Sequence, residues 1–199
     1  MEGKRQIKTA LVSVYDKGGL DGVIARLAHC GVKLLSTGGT HKYIEGLGYE
    51  CQTVESVTAY PSILGGRVKT LHPKVFGGIL ARRGNESDER EMRQYGIEGI
   101  DLVIVDLYPF EQTVATAGAT DADIIEKIDI GGISLIRAAA KNYNDVVIVP
   151  CKDEYATLME ILDKQGAQTS IGQRRQLAAR AFGVSSHYDM AIRQWFESR

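Results

Sequence analysis

Five stretches of this 199-residue chain combine residue types and spacings able to do chemistry on a small anion. The longest is Leu64-Gly65-Gly66-Arg67-Val68-Lys69-Thr70-Leu71-His72-Pro73. In an extended segment Arg67 and Lys69 share one side and Thr70 faces the other, because side chains alternate. Two cations pointing together repel unless an anion joins them. A solvated basic loop is the alternative, and His72 before Pro73 reads as structural. Thr37-Gly38-Gly39-Thr40 offers backbone N–H groups at a helix start, which attract phosphate. It lacks the Gly-Lys-Ser/Thr of a Walker loop and the spacing of a dinucleotide fingerprint. A plain turn with a threonine cap fits equally.

The other three stretches carry acids, bases and phenols. Ser13-Val14-Tyr15-Asp16-Lys17 follows a short apolar run and is either a ligand loop or a helix entry capped by Asp16. Val105-Asp106-Leu107-Tyr108-Pro109-Phe110 places a phenol where it can donate to a developing oxyanion, or pack as an ordinary aromatic. Ile128-Asp129-Ile130-Gly131-Gly132 leads into Ile133 to Asn142, a segment apolar nearly all round. A helix of that kind is buried. Ser134, Arg137 and Lys141 nevertheless share one stripe, and buried charges need partners. Asp129 can supply a structural ion pair to Arg137 or Lys141, or a bound anion can neutralise them.

The elements that must hold these residues form an α/β pattern. Ala10 to Val14, Val32 to Leu35, Leu102 to Val105 and Val146 to Val149 read as short strands buried on both faces. Leu20, Val23, Ile24, Leu27 and Ala28 follow helical spacing up to Gly31, and His41 to Leu47 forms a second helix. Glu86 to Tyr95 is a polar, solvent-facing helix, and Pro109 starts another. Tyr155, Leu158, Met159 and Leu162 give an amphipathic helix. Leu177, Ala181, Ser185, Tyr188, Ile192 and Trp195 make a stripe on a C-terminal one. Tyr60 to Pro73, rich in glycine, proline and cations, reads as a functional loop. The expectation is one domain over 1–199, with three α/β/α layers and a mostly parallel sheet of about five strands. At least three of the five stretches then lie at carboxyl ends of strands, where open α/β sheets place ligands.

Bulk properties narrow the function. The net charge of −1 argues against a broad nucleic-acid or membrane surface, while leaving room for a local basic pocket. No segment approaches membrane-spanning length, and the N-terminal apolar run reads as a strand rather than a signal peptide. Cys30, Cys51 and Cys151 form no C-x-x-C pair, so no zinc or redox motif is present, and three free thiols suit the cytoplasm.

Together these segments resemble the N-terminal domain of the bifunctional AICAR transformylase/IMP cyclohydrolase family. Further matching stretches are Gly78-Ile79-Leu80-Ala81-Arg82, Arg137-Ala138-Ala139-Ala140-Lys141-Asn142 and Arg174-Arg175-Gln176-Leu177-Ala178 with Ala181-Phe182. They run nearly end to end. The resemblance implies a methylglyoxal synthase-like fold and dehydrative ring closure of formyl-AICAR to IMP, the last step of purine synthesis. It implies nucleotide contacts from Ser13, Tyr15, Asp16, Lys17, Thr37, Gly38, Gly39, Thr40, Arg67, Val68, Lys69, Thr70, Val105, Asp106, Asp129 and Ile130. It assigns the chemistry to Lys69, Tyr108, Asp129 and Lys141, with Lys69 and Tyr108 on the oxyanion and Asp129, poised by Lys141, on the amide proton. No metal or organic cofactor is implied. The partners implied are purine nucleotides, a second copy of the chain, and a fused transformylase domain that this chain lacks. The dimer is also expected from large apolar groups, Trp195 and Phe196, left near the C-terminal end. Tyr15 and Thr37 stand where relatives often have serine, and Asp106 where many have asparagine. Methylglyoxal synthase and a non-catalytic, nucleotide-binding regulatory domain, as in carbamoyl phosphate synthetase, share the fold and are the alternatives.

Overall fold

Strand Leu102–Val105 explains the architecture in miniature: all four of its residues are apolar and all four are buried, so it must lie inside a sheet covered on both faces. The computed structural model describes residues 3–199. In chain order the elements are β1 (Arg5–Gln6), β2 (Thr9–Ser13), α1 (Leu20–His29), β3 (Lys33–Ser36), α2 (Gly38–Gly46) and β4 (Gln52–Thr53). They continue with α3 (Val54–Thr58), α4 (Pro73–Leu80), α5 (Glu86–Tyr95), β5 (Leu102–Val105), α6 (Phe110–Val114) and α7 (Asp121–Ile125). Last come α8 (Gly131–Lys141), β6 (Val147–Val149), α9 (Tyr155–Gln165), β7 (Gln168–Thr169) and α10 (Ile171–Glu197).

Five strands make a parallel sheet in the order β4-β3-β2-β5-β6. From central β2 the chain first builds outward through β3 and β4, then returns to pair β5 beside β2, with Leu11 opposite Val103 and Ser13 opposite Val105. The connections leaving β2 and β5 therefore diverge, and a crevice opens beyond their carboxyl ends. Helices cover the sheet: α1 packs on α9, while α8 packs on α4 and α10. Leu11, Val12, Leu102, Ile104, Leu135, Ile148 and Leu158 form the continuous core. The expected fold class is thus the observed one.

Several local expectations change. The Arg67 to Thr70 segment is not extended. A short 3-10 turn over Leu64–Gly66 runs into further turns, with Lys69 N–H bonded to the Gly66 carbonyl and Leu71 N–H to that of Val68. The turn needs left-handed backbone at Gly65 and Gly66, which glycine adopts without a Cβ penalty. Pro73, read as the end of a loop, instead starts α4 behind a cap in which His72 Nδ1 accepts from Lys74 N–H. Helix α2 begins at Gly38 rather than His41. Helix α8 is not buried all round: Arg137 and Lys141 are exposed, while Leu135, Ile136, Ala138, Ala139 and Ala140 are buried. Trp195 is not an exposed terminal group. It is buried with Phe110, Ile124 and Tyr188 in a second small core, and only Phe196 remains exposed.

The ends of the chain are tied together by a buried cation. Arg174, on the first turns of α10, is fully buried. Its guanidinium donates to the carbonyls of Gly3, Tyr143, Asn144 and Thr169 at 2.8 to 3.0 Å, and to the Thr169 hydroxyl at 3.0 Å. This knot joins the N-terminus, the turn before β6, the β1–β7 ribbon and α10. Burial and neighbouring Arg5 depress its pKa, while Asp145 opposes that shift. Replacing it by methionine removes every one of these donors and leaves buried carbonyls unpaired, at about 1–3 kcal/mol each. Arg174→Met should destabilise the chain by at least about 3 kcal/mol. Urea unfolding monitored by circular dichroism checks this, and a shift below about 1 kcal/mol would contradict the role assigned to the knot.

Candidate functional site

The crevice at the β2/β5 divergence is a cleft of about 780 Å³, within the range of about 300–1,000 Å³ usual for small-molecule sites. Its floor comes from the ends of β2 and β3. Ser13 Oγ lies 3.3 Å from Thr37 Oγ1. Thr40 Oγ1 donates to the Val14 carbonyl at 2.9 Å, fixing the start of α2 against the end of β2. The Thr37 side chain does not cap α2, which overturns the reading of this turn as a threonine cap. The first N–H groups of the helix therefore remain available to an anion, reinforced by the helix dipole. Lys69 reaches the same place: a methyl group added at Gly38 would stand 3.6 Å from its Nζ. A cation and a helix N-terminus converge there, which is how proteins hold phosphate.

The opposite wall is acidic and aromatic. Asp129 precedes α8, and its Oδ1 accepts from Ile133 N–H at 3.0 Å. Burial pushes its pKa above the ordinary carboxylate value, opposed by hydrogen bonds from the N–H groups of Ile133, Gly132 and Tyr108. The neighbouring glycines are required by close approach. A methyl at Gly132 would stand 2.9 and 3.0 Å from the Asp129 carboxylate oxygens, and one at Gly131 would stand 2.9 Å from Thr70 Oγ1. Tyr108 lies half-exposed at the rim, edge-on to Tyr15 with ring centroids 5.6 Å apart. Burial raises its pKa, with the Asp129 charge next in size.

Asp106 builds the third side. Its two carboxylate oxygens accept from the backbone N–H groups of Tyr15 and Asp16. It therefore holds the loop after β2, instead of offering both oxygens to a ligand. Burial raises its pKa, opposed by those two hydrogen bonds. Lys17 is tied back by its ammonium to the carbonyls of Val14 and Tyr15.

Of the residues singled out in the sequence, the cleft gathers Ser13, Tyr15, Lys17, Thr37, Gly39, Thr40, Arg67, Lys69, Thr70, Asp106, Tyr108, Asp129 and Ile130 along its lining. Four contribute otherwise. Gly38 sets the turn beside Lys69, and Val105 is core. Val68 lies in the turn behind its cationic neighbours. Asp16 lies off that lining, accepting from the Gly18 N–H and pairing with Lys152 at 2.9 Å; the Gly18 hydrogen bond first and Lys152 next lower its pKa. Lys141 lies elsewhere in this chain. It sits at the far end of α8, ten residues from Gly131 and so about 15 Å along the axis, exposed and outside the cleft. Neither Lys141 nor Arg137 pairs with Asp129, whose partners are backbone N–H groups. The same helical stripe that aligned Ser134, Arg137 and Lys141 faces solvent.

Sequence reasoning missed Glu126 and Lys127. Glu126 pairs with Arg67, closing the basic loop over the cleft. Lys127 Nζ stands 5.6 Å from the Tyr108 ring centroid and 5.9 Å from that of Tyr15, a cation–π arrangement. The Asp121–Ile125 helix that delivers them is one short turn with a capping box at Thr120 and Asp123. That Thr-x-x-Asp pattern is the signal that could have revealed it.

Comparisons with known proteins identify the family. The MGS-like domain family matches residues 19–134, and the AICARFT/IMPCHase bienzyme family matches residues 139–199. The chain is 62% identical over 198 residues to the bifunctional purine biosynthesis protein PurH of Bacteroides thetaiotaomicron, covering 100% of this chain and 39% of that protein. It is 47% identical over 193 residues to PurH of Rhizobium rhizogenes, covering 97% of this chain and 36% of that one. The chain thus spans well under half the length of these relatives. A solved structure described as the crystal structure of ForH superposes with a TM-score of 0.84 at 35% identity, covering 96% of this chain and 97% of the other. With its parallel sheet, its switch-point cleft and these matches, the chain belongs to the MGS-like domain family, in the form that continues into the AICARFT/IMPCHase bienzyme region.

Proposed function

We propose that this chain is an IMP cyclohydrolase, closing the second ring of formyl-AICAR to give IMP and water. The observation that carries the reading is the meeting, in one cleft, of an anion-binding end and an acid–base end. The first is the N-terminus of α2 with Lys69; the second is the Asp129 carboxylate beside the Tyr108 phenol. The relatives named as purine biosynthesis proteins support it.

In the proposed reaction the ribotide phosphate lies at the first N–H groups of α2, and the base lies between Tyr15, Tyr108 and Asp129. The carboxamide nitrogen attacks the formyl carbon, forming the new C–N bond. The carbonyl π electrons pass to the formyl oxygen, where the Lys69 ammonium and the Tyr108 hydroxyl stabilise the negative charge. Asp129 accepts the proton released by the attacking nitrogen. The oxygen is protonated and departs as water with the proton of the formamido nitrogen, leaving the ring C=N bond. A carboxylate with a raised pKa suits a group that must take up and return a proton. Much of the acceleration is geometric, because both reacting groups belong to one molecule and the cleft need only hold them together. The route uses no metal or organic cofactor.

Around this activity we propose a cytoplasmic protein, a homodimer, and a longer chain carrying a transformylase domain. The dimer rests on the family resemblance and on exposed Phe182, Met190 and Phe196 along α10, since Trp195 is buried within the chain itself. No helix among the described residues is long and apolar enough to cross a membrane.

An absorbance assay with formyl-AICAR tests the activity directly, and wild-type chain that binds IMP without turnover would favour a regulatory nucleotide-binding domain. Lys69→Ala and Asp129→Asn should each lower kcat by about 10²-fold or more. On the acid side the unprotonated fraction of Asp129 falls as pH drops through its raised pKa. The rate should therefore decline at higher pH than an ordinary carboxylate would impose, and a pH–rate profile flat through that region would contradict Asp129 as the proton acceptor. Lys141→Ala should melt like the wild type and keep most of its turnover, because the side chain is exposed and outside the cleft. A loss matching that of Lys69→Ala would mean that Lys141 reaches a site only in an assembly. Asp106→Asn replaces one acceptor oxygen by an NH₂ facing a backbone N–H, so it should cost about 1–3 kcal/mol and weaken IMP binding through the Tyr15–Lys17 loop. Melting curves and calorimetry on one preparation check both.

A further inference from the structure

Asp129 is held from behind by a residue of the C-terminal helix. The Tyr188 hydroxyl, on α10, donates to the Lys127 carbonyl at 2.7 Å and accepts from the Asp129 backbone N–H at 2.9 Å. One oxygen thus bridges the backbone on both sides of Ile128 and fixes the segment that presents Lys127 to the Tyr108 ring and Asp129 to the cleft. The Tyr188 side chain is nearly wholly buried, at 8% exposure. Its ring is gripped edge-on by Phe110, with centroids 6.1 Å apart, and Phe110 in turn meets Trp195 at 6.2 Å.

The surroundings argue that the hydroxyl is placed for the segment and not merely buried with its ring. A phenol in a small apolar core needs hydrogen-bond partners, and this one finds both in the three-residue stretch that ends at Asp129. Burial raises its pKa to about 12, so it stays protonated and keeps donating to Lys127. Phe110 starts α6 directly after the Tyr108 loop, so the second core links the phenol and the carboxylate walls of the cleft through one cluster.

We propose that Tyr188 is a positioning residue for the reaction: its hydroxyl clamps the Lys127–Asp129 backbone so that the Asp129 carboxylate meets the substrate at the right place. The inference rests on the cyclohydrolase reading for its catalytic consequence, and on the two hydrogen bonds alone for the clamp. The phosphate end of the cleft is built from α2 and the Lys69 turn, which Tyr188 does not touch. Loss of the hydroxyl therefore acts on turnover more than on binding at the phosphate end.

The test is Tyr188→Phe in the full chain, with Trp195→Phe as a control that loosens the same core and keeps the hydroxyl. Tyr188→Phe should lower kcat by about tenfold or more, as expected when a catalytic group is misplaced by a fraction of an ångström to an ångström. KM and IMP affinity should change several-fold less than kcat, because the phosphate end of the cleft is untouched. Trp195→Phe should lower the melting temperature and leave kcat within about twofold of wild type. In ¹⁵N–¹H spectra the Asp129 amide should shift and lose exchange protection in Tyr188→Phe alone. Unchanged kcat with an unmoved Asp129 amide would overturn the proposal, as would equal kcat losses in both variants. If wild-type chain fails to cyclise formyl-AICAR, the functional reading falls while the Asp129 amide still decides the clamp.

Discussion

The arrangement depends on one constraint: β2 and β5 are adjacent parallel strands whose chain connections leave in opposite directions. Parallel pairing of Leu11 with Val103 buries both strands on both faces and leaves their carboxyl ends unable to be closed by a common loop. Every wall of the cleft descends from that divergence. The loop after β2 brings Tyr15 and Lys17, the loop after β5 brings Asp106 and Tyr108, and the turn from β3 into α2 supplies free N–H groups. Asp106 then stitches the two diverging loops together by accepting from Tyr15 and Asp16 N–H groups. The sheet makes the crevice, and the half-buried Asp106 carboxylate joins the two loops at its mouth.

Charge placement follows from the same geometry. Lys69 reaches the point where α2 begins and the backbone already favours anions, and the half-buried Asp129 carboxylate accepts from N–H groups at the start of α8. Those N–H donors oppose the burial that raises its pKa. The glycines at 131 and 132 are the steric condition for this, since any side chain there would strike Thr70 or the carboxylate itself. Arg67 illustrates the opposite case. Exposed and paired with Glu126, it closes a loop more than it contributes stability, as surface pairs do.

The C-terminal helix enlarges the family fold in a way that bears on the site. Residues 139–199 match a different family description from residues 19–134, yet α10 packs on α8 and β6 and carries Arg174 and Tyr188 inward. Arg174 ties down the N-terminus, and Tyr188 backs the Asp129 segment. The boundary between matches is therefore not a boundary between structural units.

How much of this was legible beforehand depends on the range over which each interaction acts. Local pattern sufficed for the buried strands, because a strand covered on both faces is apolar without interruption, as Leu102–Val105 is. It sufficed too to single out Thr37, Gly39, Thr40, Arg67, Lys69 and Thr70, which the fold gathers along the cleft lining. It failed for the Arg67 segment's conformation, because alternation assumes an extended chain and three left-handed residues, Leu64, Gly65 and Gly66, curl it into turns. It left open which way the stripe of Ser134, Arg137 and Lys141 faces, because a helical stripe shows which residues share a face but not which way that face points. Only packing against α4 and α10 turned Arg137 and Lys141 to solvent. Trp195 and Tyr188 were legible as apolar positions on one helix. Their burial against Phe110, and the placing of a tyrosine oxygen 59 residues away in sequence on Asp129, were decided by tertiary structure alone. Sequence spacing is a one-dimensional record, and a contact between α10 and the start of α8 has no one-dimensional signature.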